Sequence, residues 1–130
     1  MPIQPTREQI QDLVSSDHEG PVVMLNLLRF RDQSNDGAGS GRDSYGRYGD
    51  SVRSLLEAAG GRVLWQGRAD SVVIGDEADA WDAVILVEYP SRARFLDMVS
   101  KPDYQEVSSH RTNALVDSRL IACTEVFRST

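Results

Sequence analysis

Residues 22–30, VVMLNLLRF, are apolar on both faces of an extended chain. Val22, Met24, Leu28 and Phe30 fall on one side, and Val23, Leu25 and Leu27 on the other. Residues 80–89, AWDAVILVEY, repeat the pattern, with Val84 and Leu86 opposed to Ala83, Ile85 and Val87. A sheet with one wet face alternates apolar and polar along each strand. These two strands do not, so both faces of their sheet must be covered.

The supply of covering helices can be read along the chain. Thr6 and Gln9 have capping-box spacing ahead of Ile10, Leu13 and Val14, which predicts a short amphipathic helix within an N-terminal extension, residues 1–19. The remaining residues, 20–130, read as one domain. After the first strand, residues 31–41, RDQSNDGAGSG, have no apolar period and predict a long loop of the kind that often covers a site. Helical spacing resumes at Tyr45, Tyr48, Val52, Leu55, Leu56 and Ala59, and Gly60-Gly61 supplies the stop.

Residues 62–74 predict a long strand bent near Gly67, joined to residues 80–89 by an acidic turn. Ser91 caps a helix carrying Phe95, Leu96 and Val99. Residues 100–103, SKPD, restart it with a cap, an early proline and an acid, and it continues to about Leu115. A fourth strand is expected over residues 118–127.

The order strand, helix, strand, strand, helix pair, strand is the split βαβ repeat. It predicts an α+β, ferredoxin-like βαββαβ fold with an antiparallel four-stranded sheet, its first and third strands central, plus an extra N-terminal helix. Right-handed crossovers put the helices on one face. The other apolar face then needs a different cover, and a second copy of the same sheet is the simplest one, so a homodimer is expected.

Composition removes several classes of partner. The formal net charge is −6 and the cationic residues are scattered, which argues against nucleic acid and anionic membrane surfaces. No apolar run approaches the roughly 20 residues of a membrane helix. One cysteine, Cys123, and no apolar-cored leader point to a cytoplasmic setting. There is no HExxH, no cysteine pair, no carboxylate cluster on one helical face and no nucleophile elbow, and GAGSG at 37–41 lacks a phosphate-binding lysine. No metal and no cofactor are expected.

Over roughly residues 20–127 the chain resembles the domain of unknown function 1330 family of the dimeric α/β-barrel superfamily. The resemblance rests on the strand carrying Asn26, the pair Tyr45 and Tyr48, the Gly60-Gly61 stop, the Tyr89-Pro90-Ser91 junction, and Tyr104-Gln105 followed by Arg111. It implies a ferredoxin-like fold and a dimer whose two sheets form a barrel with helices outside. It implies no reaction. The superfamily includes cofactor-free monooxygenases, isomerases, haem enzymes and proteins without catalysis.

Five residues are candidates to bind a ligand. Asn26 places an amide in a strand that is apolar on both faces, where it must find partners or cost about 1–3 kcal/mol. It either orients a ligand oxygen or locks the fold. Tyr45 and Tyr48 share a helical face with Val52 and Leu55, so their phenols either line a helix–sheet cleft or pack in the core. Tyr104 and Arg111 also share a face, with Val107 between them. The guanidinium is a fork for a ligand carboxylate, or for a structural pair with Glu88 or Asp117.

His110 is the one candidate for catalytic proton transfer, although it is turned about 100° from Arg111 around the helix. The bland reading is a solvated or charge-compensating residue near a helix end. Two functions therefore compete. One is a cofactor-independent enzyme or binder for a small oxygenated organic compound, carboxylated or phenolic. The other is a non-catalytic dimeric module serving a protein partner. A haem protein would need an apolar pocket around His110.

Overall fold

The computed structural model of the chain describes residues 2–129. Helix α1, Arg7–Val14, starts where the sequence places it. Thr6 Oγ accepts from Gln9 N at 3.1 Å and Gln9 Oε1 from Thr6 N at 2.9 Å, closing the capping box. Strand β1, Val22–Phe30, follows.

Helix α2, Gly41–Ala58, begins four residues before Tyr45, because the Ser40 side chain caps it by accepting from Asp43 N at 3.0 Å. Gly41 is buried where this start meets the chain, and a Cβ there would lie against the backbone oxygens of Arg31 and Ala114. The helix ends in a Schellman motif, with Gly61 N donating to Leu56 O and Gly60 N to Glu57 O. Gly60 takes φ 77°, a left-handed conformation suited to glycine.

Strand β2, Arg62–Arg68, is shorter than its apolar run implies. Its pairing with β3, Ala83–Tyr89, slips between Val63 and Trp65, and the Trp65 ring lies across Gly67. The hairpin closes where Ala69 N donates to Asp82 O. Asp82 N donates to Leu28 O at 2.8 Å and its carboxylate accepts from Phe30 N at 2.8 Å. Beyond that lock Val73 and Ile74 have no strand to pair with and stand 90% and 94% exposed.

Helix α3, Arg92–Ser100, is capped by Ser91. Helix α4, Pro102–Ala114, starts on Pro102 with Lys101 at the N-cap and no side-chain cap. Ser100 Oγ instead donates back to Leu96 O at 2.7 Å, so the predicted cap there does not form. Strand β4, Leu115–Cys123, leaves α4 with no intervening loop, three residues earlier than the sequence suggests. Leu115 pairs with Phe30, and Val126 and Phe127 fall beyond the strand's end.

The strands form one antiparallel sheet in the order β2-β3-β1-β4, with the predicted strands central. This is a ferredoxin-like α+β fold. Among the described residues the α-helices α1 to α4 reach the same face: Leu13, Leu55, Leu56, Phe95, Met98 and Tyr104 pack around Val22, Met24 and Tyr89. A second cluster joins Leu28, Ala83, Ile85, Ala114 and Leu115 with Ile3, Phe30 and Tyr45. Leu25, Leu27, Val84 and Leu86 belong to neither cluster and lie on the sheet's other face. Among the described residues no helix is long and apolar enough to cross a membrane.

Candidate functional site

Between the two apolar clusters the helices stand away from the sheet, leaving a cavity of about 1360 Å³. Asn26, Tyr45, Tyr48, Tyr104 and Arg111 all line it. The structure thus brings together the five residues the sequence singles out for binding. Val87, Tyr89 and Phe95 add apolar and aromatic wall.

Asn26 sits at the middle of β1, on the helix face. Its Nδ2 donates to Met24 O and Ile85 O, both at 3.3 Å. Two carbonyl acceptors fix which end of the amide turns to the backbone. Among the described residues Oδ1 takes no hydrogen bond.

Tyr45 and Tyr48 lie 5.3 Å apart between ring centroids, Phe30 stands 5.6 Å from Tyr45, and Tyr104 meets Tyr48 edge-on at 6.3 Å. Tyr45, Tyr48 and Tyr104 form an aromatic wall of the cavity, with Phe30 beside Tyr45 but outside the lining. The Tyr48 and Tyr104 hydroxyls are 3.0 Å apart. One hydroxyl hydrogen is used between them, so the pair keeps one to donate outward.

Burial pushes the Tyr45 phenol up to about 12, against the pull of the Arg111 guanidinium beside it. Burial raises Tyr48 further, reinforced by Tyr104 and Tyr45, and raises Tyr89 as well. At neutral pH these phenols are hydrogen-bond donors and not bases.

Arg111 comes from α4 and donates from Nη1 to Ile3 O at 2.8 Å. Neither carboxylate that could have held it is available. Asp117 pairs with Arg29 at 3.3 Å and Arg119 at 2.7 Å, and Glu88 with Arg62 at 3.1 Å and Arg128 at 2.9 Å. Among the described residues no carboxylate lies within 4.0 Å of Arg111. Asp12, Asp50 and Glu57 also line the cavity but none is within ion-pair distance of Arg111, so this half-buried guanidinium keeps donors free for an anion.

His110 is not brought to this group. It is absent from the cavity lining, its backbone oxygen accepts from Ser44 Oγ at 2.9 Å, and its Nδ1 is buried without a partner among the described residues. The loop before α2 does not cover the cavity either. Ser34 is buried and Asn35 N donates to Asn113 O, which folds the loop against the end of α4.

The cover comes instead from the N-terminal segment. Pro2, Ile3, Gln4 and Pro5 line the cavity. Pro2 O accepts from Ser118 N and Oγ, both at 3.0 Å, and Gln4 Nε2 donates to Thr112 Oγ1 at 3.1 Å. A short polar and proline-rich stretch gives no periodic signal, so the sequence did not reveal it. Arg92, a cation in the first turn of α3, also lines the cavity. Among the described residues no group of three or more His, Cys, Asp or Glu is placed to hold a metal.

Residues 40–124 match the pattern of a family described as domain of unknown function DUF1330. A protein of unknown function from Rhodopseudomonas palustris is 38% identical, over 97% of this chain and 98% of that one, with a TM-score of 0.90. Hydroxynitrile lyase from Passiflora edulis is similar at 16% identity, 85% and 100% coverage and TM-score 0.60. A dimeric protein of unknown function with a ferredoxin-like fold, from Bacteroides fragilis, is similar at 9% identity, 81% and 96% coverage and TM-score 0.53. The last two show a common fold alone. No curated protein matches the chain.

Proposed function

We propose that this chain, which belongs to the domain of unknown function 1330 family, binds a small oxygenated organic anion, a carboxylate with an apolar or phenolic body. The observation that carries the reading is Arg111, which faces the cavity beside Tyr45 without a carboxylate partner among the described residues. In this reading the guanidinium holds the anionic end. The Tyr48–Tyr104 pair donates to a ligand oxygen and Asn26 Oδ1 accepts from a ligand hydroxyl. The aromatic wall excludes water, which strengthens each polar contact.

Any chemistry in such a cavity would act on a ligand held by hydrogen bonds and charge, since the phenols stay protonated at neutral pH. Hydroxynitrile lyase from Passiflora edulis shares the fold.

Thermal denaturation in the presence of benzoate, phenylacetate, 4-hydroxybenzoate and uncharged phenol tests the reading. A carboxylate at a hundredfold excess over its Kd adds about 2.7 kcal/mol. A raised melting temperature with the carboxylates, lost in Arg111→Gln, is the expected result. Equal shifts from phenol and carboxylates, or a shift that survives Arg111→Gln, would refute it.

We also propose that the open sheet face pairs with a second copy of the chain. Leu25, Leu27, Val84 and Leu86 share that face, with Trp65 and Ile121 beside them still 55% and 48% exposed. That is a large apolar surface for a lone chain to leave in water. Light scattering on the purified protein is expected to give twice the chain mass, and Leu86→Glu to halve it. A monomer at micromolar concentration would end this reading.

A further inference from the structure

Of the five arginines lining the cavity, Arg53, Arg62 and Arg119 pair with carboxylates and Arg111 donates to Ile3 O, which leaves Arg92 without an explanation in the fold. Arg92 opens α3, with Arg94 in the same turn and no acid there to offset them. The positive end of the helix disfavours a cation at that place. Arg92 Nη1 is nonetheless buried, with no hydrogen-bond partner among the described residues. No described carboxylate is within ion-pair distance and no described ring lies under the guanidinium. A buried guanidinium nitrogen without a partner costs stability.

Arg92 lines the same cavity as Arg111, from the opposite end. Arg111 belongs with Ile3, Tyr45 and Leu28, where β1 meets Ala83. Arg92 follows Tyr89, which pairs with Val22 and packs on Phe95. The two ends are separated by the strand from Val22 to Leu28, roughly 20 Å of backbone. Between them the lining is Met24, Ile85, Val87, Tyr48 and Tyr104, with Asn26 at the centre.

We propose that Arg92 is a second anion-binding residue, and that the cavity prefers an elongated ligand with an acidic group at each end of an apolar body. This rests on the assignment of Arg111 to the first acidic group. The two ends then neutralise both guanidinium groups, and the apolar middle meets the aromatic and aliphatic wall.

Calorimetric titration of the full chain with α,ω-dicarboxylates from succinate to dodecanedioate, against monocarboxylates of the same carbon number, tests it. At the best length the dicarboxylate is expected to bind about tenfold tighter, a gain of about 1.4 kcal/mol. Arg92→Gln should erase that gain, bringing the dicarboxylate to the affinity of its monocarboxylate, while Arg92→Lys should keep part of it. The melting temperature of unliganded Arg92→Gln is expected to equal or exceed that of the parent, which separates a lost ligand contact from a damaged fold. Monocarboxylate binding that depends on Arg111, without any gain for dicarboxylates, would overturn the role of Arg92 alone. Equal weakening of both ligand types by Arg92→Gln would also overturn it. Failure of both types to bind would overturn the Arg111 assignment and this one together.

Discussion

Raising the pH should unfold this protein through its own tyrosines. Tyr45 is held at about 12 against a reference of 10.0, chiefly by burial, and Tyr48 and Tyr89 are raised in the same direction. The unfolded chain gives up these phenolic protons near pH 10, whereas the folded chain keeps them. Between those values the unfolded state binds fewer protons, so stability falls as pH rises. It is fully present below pH 10 and is lost progressively toward the folded values. For Tyr45 alone, two units at about 1.36 kcal/mol each amount to about 2.7 kcal/mol. That is a large part of the 5–15 kcal/mol typical of a domain.

The assay is phenolate absorbance followed against pH, with circular dichroism recorded on the same samples. Tyr45, Tyr48 and Tyr89 are expected to stay protonated at pH 10.5 and then to ionise together with loss of the helical signal. Tyr45→Phe should make the alkaline limb shallower by one proton. Ionisation of all four tyrosines near pH 10, with the helical signal intact, would refute the burial of this wall.

The glycines of α2 predict opposite outcomes. Gly41→Ala should cost more than about 2 kcal/mol, because the added methyl meets the backbone oxygens of Arg31 and Ala114 and neither can move aside. Gly46→Ala meets nothing within 4 Å and should add about 0.5–1 kcal/mol in helix propensity. Chemical denaturation of the two variants checks both signs. At low pH, burial acts to raise Asp117, but hydrogen bonds from Arg119 and Ser118 and the charge of Arg29 outweigh it and hold its carboxyl below the usual 3.8. Its contribution is therefore present above that value and lost as pH falls through the lower folded one. Asp117→Asn is expected to flatten the acid limb of the stability profile.

The element order and the sheet were legible because hydrophobic period and capping chemistry are local signals. Thr6 with Gln9, Ser91, and Gly60-Gly61 each act where the sequence puts them. The ends of the strands were not local. Residues 72–74 are as apolar as any strand, but the Asp82 lock on Leu28 and Phe30 closes the hairpin before them. Strand β4 begins early because Leu115 pairs with Phe30, a partner far away in sequence.

The same division holds in the cavity. The five binding candidates converge because each was an exception within a regular element: an amide in an apolar strand, or phenols and a guanidinium on apolar helix faces. His110 lies outside the lining because its neighbour Arg111 takes the helix face that meets the cavity. Pro2 and Ile3 act through backbone oxygens, which any residue type supplies, so no sequence pattern marks them.

Diffraction from crystals soaked in 4-hydroxybenzoate would test the cavity reading most directly. The expected result is a carboxylate within hydrogen-bond distance of the Arg111 guanidinium, with the ring against Tyr45 and Tyr48. Density in the groove of the open sheet face, between Leu25, Leu86 and Phe127, with the Arg111 cavity free of ligand, would contradict it.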